Sequence, residues 1–142
     1  MLYTAKDIKL LKDEIEFIDT AVIPLVSIDM TQQAPVNSNN IELMQMVTMQ
    51  IEKQFKGRLL ITPLVTTINH RTDVALQYSE QLLEYGFKKI IILTHLKTEL
   101  EEHDVIRLNE IPLENMTADM VNELVGDEVK KVMKSIISIW NR

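Results

Sequence analysis

Two glycines stand between amphipathic stretches and apolar runs, and this arrangement constrains the fold more than any other feature of the sequence. Gly57 precedes the apolar run 59–61, and Gly86 precedes the apolar run 90–93. Glycine readily adopts the left-handed conformation that ends a helix, so each one predicts a helix that leads quickly into a buried strand. Helices that alternate with apolar strands indicate a mostly parallel sheet covered on both faces.

Length and composition limit the class of protein. The 142 residues, 46% hydrophobic and 25% charged, are typical of a single globular domain spanning 1–142. The net charge of −6 argues against a nucleic-acid partner, and the absence of cysteine excludes disulfides, thiolate metal ligands and a cysteine nucleophile. No apolar segment reaches the roughly 18 residues of a membrane span, and no signal peptide is recognisable. We therefore expect a cytoplasmic protein with no membrane partner.

The hydrophobic pattern predicts five helices and four strands. The helices are expected near residues 5–16, 39–56, 72–85, 97–104 and 117–142, and the strands near 21–28, 59–65, 90–93 and 105–108. Thr4 and Thr117 are expected to cap the first and last helices, and Gly126 to bend the last one. The polar stretch 30–40 is predicted to be a loop. Together these elements predict a three-layer α/β fold with a four-stranded, mainly parallel sheet. Its predicted topology is Rossmann- or flavodoxin-like, in the strand order two-one-three-four.

The first two predicted strands share a short pattern that contains Pro-Leu-Val. Pro24 and Pro63 occupy matching places in it. Because proline cannot donate to a sheet ladder, the match predicts that both strands kink or stop pairing at the same level. A chance similarity between common strand residues explains the pattern equally well.

Polar residues follow three of the predicted strands, at the edge where open α/β sheets bind ligands. The expected ligand-binding residues are Ser27, Asp29, Thr66, Thr67, Asn69, His70, Arg71, Thr94 and His95. Three of them, Asp29, His70 and His95, are also candidate catalytic residues, because a carboxylate with two imidazoles can bind a divalent metal and a histidine can act as general base. Ordinary loop polarity and helix capping explain the same residues without a site. A non-catalytic pocket for a small ligand is favoured over catalysis.

Missing motifs exclude several enzyme classes. The chain has three glycines, and none lies in a loop that leads from a predicted strand into a helix. A Walker-type or dinucleotide-binding site is therefore not expected. Gly-x-Ser-x-Gly and His-Glu-x-x-His are also absent, and the sequence identifies no cofactor.

The last predicted helix carries an apolar stripe with three-four spacing. The stripe consists of Val129, Val132, Met133, Ile136, Ile137 and Trp140. Such stripes usually pack on the sheet of the same chain. The alternative is the seam of a homodimer, which is favoured by the expected exposure of Trp140 near the end of the helix.

Two segments, Phe-Ile-Asp-Thr-Ala-Val-Ile-Pro-Leu-Val at 17–26 and Glu-Lys-Gln-Phe-Lys-Gly-Arg-Leu-Leu at 52–60, resemble the YpiF-like proteins of low-GC Gram-positive bacteria. The start of the chain, residues 3–8, is similar as well. The resemblance follows most of the chain in order and length. It implies a bacterial cytoplasmic setting, and it implies no activity and no functional residues.

Two functions are consistent with the sequence. The leading interpretation is a non-enzymatic binding or regulatory module, with a small-ligand or protein-contact site at the carboxyl edge of the sheet or on the last helix. The alternative is a small metal-assisted hydrolase built on Asp29, His70 and His95, with residues 30–40 as a lid.

Overall fold

The computed structural model describes residues 1–100 and 103–142, and within them the chain forms four helices and five strands, where five helices and four strands were predicted. In chain order the elements are α1 (Ala5–Glu14), β1 (Thr20–Ser27), α2 (Ala34–Gln54), β2 (Leu59–Ile61), β3 (Val65–Thr67), α3 (Asp73–Tyr85), β4 (Lys89–Thr94), β5 (Asp104–Arg107) and α4 (Ala118–Trp140). The side chains of Thr4 and Thr117 cap α1 and α4, which confirms those two predictions. The α/β class is confirmed.

The strands form one parallel sheet in the order β2-β1-β4-β5, and β3 pairs with β1 beyond the end of β2. In terms of the four predicted strands this is the order two-one-three-four, which is confirmed. The count of four strands is wrong, because the predicted second strand is divided into β2 and β3. β1 lies in the centre, where Thr20 pairs with both Leu59 and Lys89.

The division between β2 and β3 coincides with the two matching prolines. On β1, pairing ends at Val22, opposite Ile61, and resumes at Leu25, opposite Val65. Two residues of β1, Ile23 and Pro24, therefore lie opposite three residues, 62–64, of the segment that joins β2 to β3. Pro63 is the middle one of these three. Such a mismatch is a bulge, and proline is tolerated there because it has no N–H to offer the ladder. The prediction that pairing stops at the two prolines is confirmed on this side of β1, whereas β1 stays paired with β4 through Pro24.

Helices cover both faces of the sheet and give the predicted three layers. On one face the core joins α2 and α4 to strand residues that include Val22, Val26, Ile91 and Leu93. The opposite face has two smaller clusters, which join α1 and α3 to the alternate strand residues Ala21, Ile23, Leu25, Ile90 and Ile92. β1 supplies side chains to both faces, as its almost unbroken apolar sequence predicts.

Two local predictions are wrong. α2 begins at Ala34, so most of the predicted loop 30–40, and with it the proposed lid, belongs to a helix. Pro35 lies in the first turn of α2, where a missing N–H removes no helical hydrogen bond. The predicted helix over 97–104 does not form in its described part: residues 97–100 have no helical structure and Asp104 begins β5. Residues 101 and 102 of that prediction lie outside the described residues. α4 runs uninterrupted through Gly126, and the predicted bend at that residue stays a prediction.

The apolar stripe of α4 packs on the sheet of its own chain, as the main interpretation predicts. Val129, Val132 and Ile136 lie in the core between α2 and α4. The expected exposure of Trp140 is wrong: its ring is half-buried, packs edge-on against Phe55 at 5.0 Å between centroids, and lies under the Arg58 guanidinium at 4.1 Å. The homodimer seam stays a prediction without this support. None of the described helices combines the length and the apolarity that a membrane crossing needs.

Candidate functional site

The carboxyl edge of the sheet has one point at which the chain connections diverge. From β1 the chain passes through α2 to β2, on one side of the sheet, whereas from β4 it passes to β5, on the opposite side. β1 and β4 are neighbours, so a crevice is expected between the loops that follow them. Ser27 ends β1 and Thr94 ends β4.

A cavity of about 520 Å³ lies at this crossing, and we call it the edge cavity. Its walls come from the end of β1, the first turns of α2, the loop after β4, the loop after β5 and the turn before α3. The lining residues are Leu25, Val26, Ser27, Gln33, Val36, Asn37, Asn40, His70, His95, Leu96, Lys97, Thr98 and Glu110. Its place is the one at which open α/β sheets bind ligands, and its size is that of small-molecule sites.

His95 is a half-buried histidine in the wall of the edge cavity. Both ring nitrogens are closed to solvent, and neither makes a well-formed hydrogen bond among the described residues, although the Asn109 backbone lies near enough to act on the ring as an acceptor. Burial is the main influence on the ring and lowers the pKa of His95, while Glu110, the nearby Asn109 backbone and Glu128 act in the opposite direction. Lys131 adds to the lowering. Lowering the pKa favours the neutral imidazole, which has one donor and one acceptor nitrogen to satisfy.

Asn40 lines the edge cavity and carries a second unsatisfied polar group, which is closed to solvent. Its side chain is 7% exposed, and its Oδ1 has no hydrogen-bond partner in the described part of the chain. The preceding residue, Asn39, contrasts with it: the Asn39 amide donates to the Ile111 carbonyl at 2.8 Å and accepts from the Leu113 N–H at 2.9 Å. Asn39 therefore fixes the loop after β5 against α2, whereas Asn40 is left for another partner.

The buried carboxylate of Glu128 holds the loop after β5, which forms part of the cavity wall. Glu128 of α4 is 4% exposed and accepts hydrogen bonds from the Asn109 N–H at 3.1 Å and the Asn109 side-chain amide at 3.2 Å. It also pairs with Lys131 at 2.6 Å. These contacts hold the loop after β5 in place, and with it Glu110, the residue that follows Asn109 and reaches the edge cavity.

Of the predicted ligand-binding residues, Ser27, His70 and His95 line the edge cavity. Thr94 lies directly before His95, but it is fully buried and its hydroxyl is in use. That hydroxyl donates to the Leu25 carbonyl at 2.8 Å and accepts from the Leu96 N–H at 3.1 Å. Thr94 therefore shapes the exit of β4 from the sheet.

The predicted catalytic aspartate lies outside the edge cavity. One Asp29 oxygen accepts from the Asn37 amide at 2.9 Å, and the other accepts from the Thr31 hydroxyl. Its carboxylate thus ties the short loop after β1 to the first turn of α2, and it lines a neighbouring, mostly apolar pocket. The structure brings His70 and His95 to one cavity and places Asp29 beside it.

The remaining predicted residues lie in β3 or between β3 and α3, and none of them lines the edge cavity. Thr66 is exposed, Thr67 is buried, and Asn69 has a left-handed backbone with φ of 58°. The Arg71 guanidinium pairs with Asp73 at 3.1 Å. Within residues 1–100 and 103–142, no group of three or more histidine, aspartate or glutamate side chains is placed to hold a metal ion.

The sequence interpretation missed most of the wall that α2 supplies. The missed polar lining residues are Gln33, Asn37, Asn40, Lys97, Thr98 and Glu110. Three of them follow a helical spacing of four and then three residues, which places their amides on one face of a helix. That signal was present in the sequence, but it has this meaning only once residues 34–40 are recognised as helical.

Comparison with known proteins gives a family and one relative. A family model described as "Protein of unknown function (DUF2487)" matches residues 9–140. The chain is similar to the uncharacterized protein YpiF of Bacillus subtilis (strain 168), with 25% identity over 143 residues that cover 96% of this chain and 94% of that protein. No solved structure matches.

Proposed function

The chain belongs to the DUF2487 family of proteins of unknown function, and we propose that it is a non-enzymatic binding or regulatory module that holds a small molecule in the edge cavity. The predicted resemblance to YpiF-like proteins is confirmed by the same comparisons. Because the family match supplies no activity, the proposal rests on the geometry of the cavity.

One observation carries the proposal: two residues that line the edge cavity hold buried polar atoms with no well-formed hydrogen bond to the described part of the chain. These are both ring nitrogens of His95 and Oδ1 of Asn40. Leaving a buried polar group unpaired costs about 1–3 kcal/mol, so native proteins rarely keep several in one place without a purpose. A bound molecule with matching donors and acceptors would offset that cost. Since solvent does not reach these atoms, we expect binding to turn both side chains toward the ligand.

The metal-assisted hydrolase has less support. Both oxygens of Asp29 are engaged by Thr31 and Asn37, and its carboxylate faces a different pocket from His70 and His95. A metal held by all three would have to be reached from two separate pockets. A binding role needs no such arrangement.

The proposal also covers the topology of the sheet, the location of the protein in the cell and the class of its partner. The order β2-β1-β4-β5, with a cavity at the carboxyl ends of β1 and β4, supports a flavodoxin-like arrangement, in which the ligand lies at such a crossing. We also propose a cytoplasmic location. The net charge of −6 supports a partner other than nucleic acid.

A thermal-shift screen of the full chain against common metabolites and divalent ions tests the function. The wild type is compared with His95→Asn and Asn40→Leu, which remove the unsatisfied groups, and with Asn122→Leu on the exposed face of α4 as a matched control. We expect a metabolite that raises the melting temperature of the wild type and the control but not of the two cavity variants. A metabolite bound equally by all four proteins would contradict the proposal. Binding of a divalent ion that is lost in His70→Ala and Asp29→Asn would favour the hydrolase.

A further inference from the structure

We infer that the edge cavity accepts a compact zwitterion of the free amino-acid type, with a carboxylate and an ammonium group a few bonds apart. The inference rests on the proposed binding function of the same cavity and adds the chemical class of the ligand. Four features of the lining carry it: two unpaired opposite charges, the end of a long helix, a set of acceptors that suits an ammonium group, and an apolar floor.

The first feature is a pair of opposite charges that share the cavity without contacting each other. Lys97 follows β4 and Glu110 follows β5, and both line the edge cavity. They form no ion pair with each other or with any other residue in the described parts of the chain. A ligand that carries both charges can meet the two groups at once, whereas a singly charged ligand meets one favourable and one unfavourable charge.

The second feature is the amino-terminal end of α2, which suits the carboxylate of the ligand. α2 has 21 residues, and the side chain of its first flanking residue, Gln33, makes no capping hydrogen bond. Pro35 has no N–H, and the Ala34 N–H already donates to the Thr31 carbonyl at 3.1 Å, so the attraction for an anion comes mainly from the helix dipole. Gln33, Val36 and Asn37 bring this end into the wall of the cavity, and Lys97 supplies a full positive charge to the same space.

The third feature is a set of acceptors that suits the ammonium group. An ammonium group has three N–H donors and no acceptor. The lining offers the Glu110 carboxylate and, once the two side chains turn toward the ligand, Oδ1 of Asn40 and the acceptor nitrogen of the neutral His95 ring. One ammonium group would therefore satisfy the buried Asn40 oxygen and one of the buried His95 nitrogens. An anion would satisfy neither acceptor and would be repelled by Glu110.

The fourth feature is the apolar part of the lining, which limits the size and polarity of the rest of the ligand. Val36, which is 41% exposed, supplies most of it, and the buried Leu25, Val26 and Leu96 complete it. A volume of about 520 Å³ accommodates a free amino acid with a side chain of moderate size. An aliphatic side chain against this surface would add the burial of apolar area to the two charged contacts.

Calorimetric titration of the full chain tests the inference. The probes are the common free amino acids, each compared with the amine that lacks its carboxylate and with the carboxylic acid that lacks its amino group. We expect at least one amino acid to bind about tenfold or more tightly than either analogue, because each analogue loses one of the two charged contacts. An amine or a carboxylic acid that binds as tightly as its parent amino acid would overturn the inference.

Charge-removing variants then assign the two ends of the ligand. Glu110→Gln should weaken binding of the amino acid and strengthen binding of the deaminated acid, while Lys97→Gln should weaken the amino acid and strengthen the decarboxylated amine. Glu123→Gln and Lys134→Gln, both on exposed positions of α4, are the matched controls and should change nothing. Equal losses for all three probes in both cavity variants would overturn the assignment.

The two proposals can fail separately. If no amino acid binds, but another metabolite binds the wild type and not Asn40→Leu, then the zwitterion is refuted and the binding function stands. If neither the amino acids nor the metabolite screen gives a ligand that Asn40→Leu loses, both proposals are refuted.

Discussion

The indole Nε1 of Trp140 donates a 2.8 Å hydrogen bond to the Thr20 hydroxyl, across 120 positions of sequence. Thr20 is the first residue of β1 and is fully buried. The bond therefore joins the last turn of α4 to the start of the central strand. Phe55 and Arg58, which contact the same indole ring, add the end of α2 and the turn before β2 to this junction.

Trp140→Phe should lower the free energy of unfolding by about 1 kcal/mol, because it removes the hydrogen bond to Thr20 and keeps a ring of similar character. Trp140→Ala should lower it by about 2–4 kcal/mol, because the contacts with Phe55 and Arg58 are lost as well. Urea unfolding followed by circular dichroism measures both. Ile137→Ala, at a position 42% exposed on the same helix, is the control and should stay below about 1 kcal/mol. A loss no larger for Trp140→Ala than for this control would contradict the junction.

Thr94→Val should destabilise the protein by about 1–3 kcal/mol. The substitution keeps the shape of the side chain but leaves the Leu25 carbonyl and the Leu96 N–H without their hydroxyl partner in a buried place. Thr66→Val makes the same change on an exposed residue of β3 and should shift stability by about 0.5 kcal/mol or less. Chemical denaturation compares the two variants. Equal effects would mean that the Thr94 hydroxyl does not support the strand exit.

The stability of the fold should decrease as the pH falls below about 6.5, the ordinary pKa of an unfolded histidine. Burial lowers the pKa of His95 in the folded state, so between the two pKa values the unfolded chain binds more protons than the folded one. His95 should contribute a slope of at most about 1.4 kcal/mol per pH unit, and this contribution should end below the folded pKa. Denaturation at several pH values, with His95→Gln as the non-titrating variant, measures the difference. An NMR titration that finds the His95 pKa above 6.5 would reverse the expected sign.

Replacing Gly86 or Gly126 by alanine should change the stability of the protein in opposite directions. Gly86 ends α3 with φ of 130°, and a Cβ there would lie 3.2 Å from Cγ1 of Ile15, so Gly86→Ala should destabilise the protein by about 1–3 kcal/mol. Gly126 lies inside α4 with open space around it, so Gly126→Ala should stabilise the protein by about 0.5–1 kcal/mol. Differential scanning calorimetry gives both shifts. A stabilising Gly86→Ala would show that the backbone there is not left-handed.

Asn39 should control the order of the loop that carries Glu110. Asn39→Ala removes both hydrogen bonds to that loop and should lower stability by about 1–3 kcal/mol, whereas Asn39→Asp keeps an acceptor for the Leu113 N–H and should lower it by less. Hydrogen exchange at the Leu113 amide is the local readout and should accelerate most in Asn39→Ala. The control is Ser38→Ala, because the Ser38 hydroxyl bonds only within α2, to the Pro35 carbonyl. Unchanged exchange in Asn39→Ala would remove Asn39 as the anchor.

The parts of the fold that depend on local chemistry were predictable from the sequence. Gly57 and Gly86 both have positive φ after helices, and Thr4 and Thr117 both cap helices, because these effects need only neighbouring residues. The strand order also follows from short right-handed connections between apolar runs. Local rules of this kind are enough to identify the edge of the sheet where the cavity lies.

The parts that depend on distant contacts were not predictable. The first turns of α2 have a polar sequence, and two contacts hold them in place. Asn37 bonds to Asp29, in the loop after β1. Asn39 bonds to Ile111 and Leu113, which lie in the loop after β5, 72 and 74 positions further along the chain. No local pattern in the sequence shows these partners. The same contacts decide that Asn40 and Glu110 border the cavity and that Asp29 does not. The sequence therefore indicated the edge at which the cavity lies, but only some of the side chains that line it.

The break between β2 and β3 divides the pairing along one side of β1 into two separate sets of hydrogen-bonded residues. β2 and β3 each hold β1 through three paired positions, and the residues between them include Pro63 opposite Pro24. We therefore expect the β3 pairs to open independently of the β2 pairs, because no ladder pair joins the two sets across residues 62–64.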